Sequence, residues 1–129
     1  VGSFLVKHLR INWKEGEKYF RNCLLDFNEA NNVAQWQWVA GCGADAAPYF
    51  RIFNPILQGE KFDKEGLYVK KWVPELKKVP NKFIHKPWEM ELKYQQAINT
   101  IIGKDYPQPI VIHEEARAAA LNAFQSLKK

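Results

Sequence analysis

The chain has 129 residues, 47% of them hydrophobic and 26% charged, which gives enough apolar material for one folded domain and too much for a disordered one. Nineteen Lys and Arg against fourteen Asp and Glu leave a net charge of +5, which tilts the surface toward polyanionic partners. Two cysteines exclude a disulfide framework, and no apolar run approaches the ~18 residues of a membrane span.

The opening VGSFLVKHLR is already in amphipathic rhythm, with Phe4, Leu5, Leu9 and Ile11 as a short apolar stripe and no cap before it. It reads as a chain entered in mid-helix, hence as a piece of something larger. Asn12 stands as an N-cap, and Glu15 completes a capping box for a helix over residues 13–25. The apolar face of that helix carries Trp13, Phe20, Cys23 and Leu24. Cys23 and Cys42 are expected to be small buried or half-buried residues in a reducing compartment. The polar turn DFNEANN follows, where Asn28 or Asn31 caps the next helix.

In that helix Asn32 and Trp36 stand four residues apart and share a face, with Val33 and Ala40 beside them. Trp38, two positions past Trp36, is turned about 200° away. One Trp can be core, while the other needs a second wall, a ligand or a partner. The helix ends at the Gly41-Cys42-Gly43 break.

From Asp45 to Pro55 the pattern predicts short helical turns around Pro48, closed by Pro55, and then a loop, LQGEKF. Asp63 caps a helix through Leu67, Val69 and Trp72, stopped by Pro74. A Lys- and Pro-rich connection leads to Pro87, which opens a helix carrying Trp88, Leu92, Ile98 and Ile101 up to Gly103. YPQPIV is extended, and the Ala-rich tail from Glu114 to Lys128 is helical. Strand alternation is lacking, so the fold class is all-α in one domain. His8, His85 and His113 are far apart in the chain and lack acidic or Cys partners, so no metal site is expected.

The segments INWKEGEKYF, NNVAQWQWVAG, GADAAPYFRIFNPILQGEKFD and DYPQPIVIHEEAR together resemble one family, the DNA photolyase and cryptochrome flavoproteins. The likeness is strongest to class I cyclobutane pyrimidine dimer photolyases. It covers essentially the whole chain, and DAAPYFRIFNP is a highly specific block. In that family these segments form the closing part of an all-helical FAD-binding domain, preceded by an amino-terminal antenna domain that this chain does not contain.

The resemblance implies light-driven repair: reduced FAD passes an electron to a pyrimidine dimer in damaged DNA, the dimer splits, and the electron returns. It further implies that Trp36 is the tryptophan nearest the flavin in an electron-transfer chain and Trp13 the middle one. The third member lies upstream, and neither Trp72 nor Trp88 replaces it. Asn32 matches the position facing flavin N5, where an amide can hydrogen-bond without bringing a titratable proton or a negative charge. Asp26, Phe27 and Asn28 match a flavin-contacting turn, in which Asn28 stands where the family usually has Asp. Asp26 in the family pairs with an Arg that would precede Val1.

Trp38 matches the tryptophan that packs against the flipped-out dimer, and Gln58 and Arg51 match or suit DNA contacts, with Lys61 weaker. A folate or deazaflavin antenna is implied for the missing domain. A bacterial cytoplasmic setting follows, with the protein on the nucleoid when bound to DNA, and no obligate protein partner. Isolated, this piece is expected to hold FAD weakly or not at all and to be inactive. Without the resemblance, Trp13 and Trp36 are core residues, Asn32 and Asp26 are cap or turn residues, and Gln58 and Arg51 are ordinary surface. Two other functions remain open: a cryptochrome-type blue-light photoreceptor, and a stand-alone helical nucleic-acid-binding domain without flavin.

Overall fold

The computed structural model describes residues 1–42 and 51–127. Its regular elements in chain order are a π-helical turn Phe4–His8, α1 Trp13–Cys23, α2 Glu29–Ala40, α3 Pro55–Phe62, α4 Leu67–Trp72, 3-10 turns Pro74–Leu76 and Pro87–Glu89, α5 Leu92–Ala97 and α6 His113–Ser126. The all-α expectation holds: no strand forms among the described residues, only an isolated bridge between Ile102 and Tyr106. Nor is any described helix long and apolar enough to cross a membrane. The chain divides into two compact units, Val1–Phe53 with Val111–Lys129 and Asn54–Ile110, which the one-domain reading did not separate.

In the first unit the N-caps fall at the expected asparagines, although the Glu15 side chain does not return a bond to Asn12 to complete the expected capping box. Asn12 Oδ1 accepts from the Lys14 N–H at 3.0 Å, and its carbonyl accepts from Glu15 N at 3.0 Å. Of the two candidate caps for α2, Asn28 is the one used, its Oδ1 accepting from Asn31 N at 3.0 Å. The helix closes at Gly41, whose left-handed φ of 76° lets Gly41 N and Cys42 N return to the Trp38 and Gln37 carbonyls. One expectation fails here. Cys23 and Cys42 are both exposed, and so is Leu24. The reason is local: α1 stops at Cys23, Leu24 is extended, and Cys42 lies beyond the glycine that ends α2. The expected turns from Asp45 to Phe50, around Pro48, lie outside the described residues.

The second unit corrects two boundaries. Pro55 opens a helix instead of closing one, and LQGEKF is helical. Asn54 Oδ1 accepts from Ile56 N and Leu57 N at 3.0 and 3.3 Å, and Pro55 occupies the first helical position, where its missing N–H is not needed. Asn54→Ala is therefore expected to raise amide exchange in the first turn of α3 about fivefold, equivalent to about 1 kcal/mol of lost capping, as read by hydrogen exchange on the full-length protein.

Asp63 does act as a cap, but at longer range: its carboxylate accepts from Tyr68 N and Val69 N at 3.1 and 3.2 Å. Desolvation opposes ionisation of that carboxyl, but the two amides and His85 outweigh it and hold its pKa below the usual value. The helix expected from Pro87 to Gly103 is broken. Met90 is extended, and the buried Gln95 amide donates to the Met90 carbonyl at 2.8 Å and accepts from Ile102 N at 2.9 Å. A side chain thus satisfies backbone groups that a continuous helix would have paired internally. Leu76, Val79, Ile84, Met90 and Ile102 form the core of this unit, with Trp88 packed against it.

Candidate functional site

The first unit gathers most of the candidate residues on α1, α2 and the turn between them. Trp36 is 4% exposed and Asn32 is 7% exposed, one turn apart on the buried face of α2. Trp38 is 42% exposed, as its rotation past Trp36 requires. The two environments expected for the two tryptophans are therefore present on one helix.

Trp36 rests on α1 at Gly16. A Cβ built on Gly16 would lie 2.2 Å from Trp36 Cη2, 2.4 Å from Cζ3 and 2.7 Å from Leu5 Cδ2, so only glycine permits this approach. Phe20, one turn further along α1, meets the Trp36 ring edge-on at 5.1 Å and 78°. Trp13, half-buried at the start of α1, lies one turn before Gly16 and so on the same helical face.

Asn32 is oriented by α1 as well. Its Nδ2 donates to the Glu17 carbonyl at 2.9 Å and approaches Glu17 Oε1 at 3.3 Å. Both partners are acceptors, which fixes the amide: with Oδ1 in that place, oxygen would face oxygen. The amide therefore has only its carbonyl Oδ1 to offer any further partner. Glu17 itself is buried and ion-paired to Arg21, whose Nη2 and Nε donate to Oε1 at 2.6 and 3.1 Å. That hydrogen bond, more than the bare charge of Glu17, raises the Arg21 pKa above its ordinary value. A buried carboxylate with three N–H donors on one oxygen is compensated, and it can act as a fixed anchor for the amide.

The connecting turn is more open. Asp26 is exposed, and Phe27 is half-buried with the Arg21 guanidinium 5.9 Å from its ring centroid. Asn28, the departure from the family pattern, puts its side chain to use as the α2 cap. Arg51 is exposed, its guanidinium 4.4 Å over the Phe53 ring, and its carbonyl accepts from the buried Lys7 amine. Gln58 is half-buried on α3 in the second unit. Lys61 is near it in sequence, with its amine over Phe62.

Two residues of the site, Gly16 and Glu17, were not singled out from the sequence. A signal existed for both: an isolated glycine inside a helical pattern, and a Glu spaced four residues from Trp13 and hence on the apolar face. The structure also brings together two histidines read as too distant to meet. His8 Nε2 and His113 Nδ1 lie 2.8 Å apart.

The family model describing the FAD-binding domain of DNA photolyase matches residues 1–126. Deoxyribodipyrimidine photo-lyase of Agrobacterium fabrum is 57% identical over 129 residues, all of this chain and 27% of that protein. A crystal structure of a bacterial class III photolyase from Agrobacterium tumefaciens superposes with a TM-score of 0.92 at 56% identity, covering 98% of this chain and 26% of that one. A cryptochrome from Synechocystis gives 0.87 at 36% identity, over 94% and 25% of the two chains. The chain thus spans about a quarter of the length of the curated relatives it matches.

Proposed function

Because the chain belongs to the family of photolyase FAD-binding domains, we propose that it is the carboxy-terminal part of the catalytic domain of a light-driven lyase that repairs cyclobutane pyrimidine dimers in DNA. The observation that carries this reading is the Asn32 amide, buried beside Trp36 and turned by Glu17 so that only an acceptor remains to be used. A reduced flavin carries a proton on N5, and a fixed carbonyl oxygen is the group that suits it. The residues present therefore fit FAD at this face of α2.

FAD, when bound, supplies the photoexcited electron that splits the dimer and receives it back. Asn32 would hold the N5 side through Oδ1, and Asp26, Phe27 and Asn28 would line the cofactor from the connecting turn. Trp36 and Trp13 would relay electrons inward when the cofactor must first be reduced. The half-exposed Trp38 would stack against the extruded dimer, and Arg51 and Gln58 would contact the DNA backbone. An antenna domain outside this chain would bring a folate or a deazaflavin. The setting would be the bacterial cytoplasm.

Within the family we read the chain as a class I enzyme; the class III photolyase at 56% identity marks the competing class. A cryptochrome-type photoreceptor is the second reading, favoured by the Synechocystis likeness but at lower identity than the photolyases. The deciding experiment gives the full-length protein a dimer-containing oligonucleotide under blue light. Restoration of the monomeric pyrimidines is expected, and binding without repair would turn the assignment toward a photoreceptor. Trp38→Ala is expected to weaken binding of that oligonucleotide about tenfold, within the ~1–3 kcal/mol that stacking contributes per base, and to leave flavin photoreduction unchanged. Equal affinity in the variant and the parent would remove Trp38 from the DNA face.

A further inference from the structure

We propose that His8 and His113 form a proton-sensitive latch that fixes the first turn of α6 to the π-helical turn at the start of the chain. The chain leaves the first unit after Phe53 and re-enters it at Val111. Two consecutive residues of the π-helical turn hold it on both sides of that excursion. The Lys7 amine donates to the Arg51 carbonyl, and the His8 ring meets the His113 ring across 105 residues of sequence. Lys7 and His8 are both about 5% exposed, so each contact is shielded from competing water.

The ring geometry allows one hydrogen bond between the imidazoles, between His8 Nε2 and His113 Nδ1 at 2.8 Å, with ring centroids 5.0 Å apart. In the neutral pair a single N–H lies between the two nitrogens and satisfies both. When both rings are charged, each of those nitrogens carries a proton, and two donors face each other with two positive charges behind them. The bond is then lost. Phe4 stacks on His8 at 5.3 Å and offers the charged ring no acceptor.

The surrounding charges do not offset this. Lys7 is the neighbour on the turn itself, and Arg51 brings a guanidinium from the exit segment. On α6, Glu114, Glu115 and Arg117 follow His113 and are exposed, while on α1 Glu17 and Arg21 are committed to each other. Burial first, and then His113, hold the His8 pKa below its ordinary 6.5; the Ser3 backbone pulls weakly the other way, although His8 Nδ1 makes no hydrogen bond in this geometry. A depressed folded-state pKa means that the unfolded or released ring binds protons first. With one ring charged a single bridging proton still joins the two nitrogens, so the latch contributes fully while His8 is neutral and is lost only when the His8 ring is protonated as well, below its ordinary 6.5.

The test is hydrogen exchange by mass spectrometry on the full-length protein at pH 7.5 and 5.0, corrected for intrinsic rates. The peptide covering residues 113–120 is expected to lose protection about tenfold in acid relative to the peptide covering α1. His8→Asp, which gives the His113 ring a carboxylate partner in place of a second imidazole, should abolish or reverse that loss. His8→Gln, which cannot titrate, should shrink it at least threefold. An unchanged acid response in either variant, or a wild-type protein without one, overturns the latch.

Discussion

Gly16→Ala is expected to destabilise the protein by about 2 kcal/mol, although alanine is the better helix former. In an open helix the change would add about 1 kcal/mol of stability. Here the new methyl would enter the space of two Trp36 ring carbons and a Leu5 methyl, all at 2.7 Å or closer. An indole has no flexible end to withdraw, and Phe20 blocks part of its retreat. Overpacking of that kind costs ~1–3 kcal/mol and can cost more, so the clash outweighs the propensity. Urea unfolding of the full-length protein, followed by tryptophan fluorescence, reads the difference.

The clash falls on Cη2 and Cζ3, atoms that a phenyl ring at position 36 would lack. In the double variant Gly16→Ala/Trp36→Phe the two costs should therefore add to less than their sum by about 1 kcal/mol. A stabilised Gly16→Ala protein, or strict additivity, would mean that Trp36 can withdraw from Gly16 without cost.

The parts of this fold that were legible in the sequence are those whose causes are local. Asn12, Asn28 and Gly41 mark helix ends because a side-chain acceptor or a left-handed residue is needed at that position whatever the rest of the chain does. The Asn32–Trp36 face and the opposed Trp38 follow from helical rotation alone. Pro55 differs from its expected role for a physical reason. A proline can end a segment or begin one, and the acceptor immediately before it, Asn54, was the sign that it begins one.

What stayed hidden depends on distant partners. Nothing near Pro87 announces that Gln95 will bond to Met90 and Ile102 and so break the helix. Likewise the spacing of His8 and His113 argues against their meeting, yet the return of α6 to the first unit joins them. For the candidate site, residue types and face could be read from the sequence, but the orientation of the Asn32 amide could not. That orientation is set by Glu17, a charged residue on a face expected to be apolar, tolerated there because Arg21 and Asn32 both donate to it.

Trp36→Phe should separate packing from electron transfer. The indole lies buried against Gly16 and Phe20, so its replacement leaves a void and is expected to cost about 1–2 kcal/mol of stability in the full-length protein. If Trp36 is a relay as well, a second effect appears that stability does not predict. A phenyl ring is far harder to oxidise than an indole, so photoreduction of the oxidised flavin should slow by at least about tenfold, or ~1.4 kcal/mol in barrier terms. On the proposed reading, repair by chemically reduced enzyme would not draw on this path and should stay within about twofold of the parent. The two rates, measured on the same preparation with flavin content matched, give the discrimination. Photoreduction lost with repair retained assigns Trp36 to the electron path. Equal losses would instead trace both defects to the displaced α1–α2 contact, leaving Asn32 and Glu17 as the part of the site still supported by geometry.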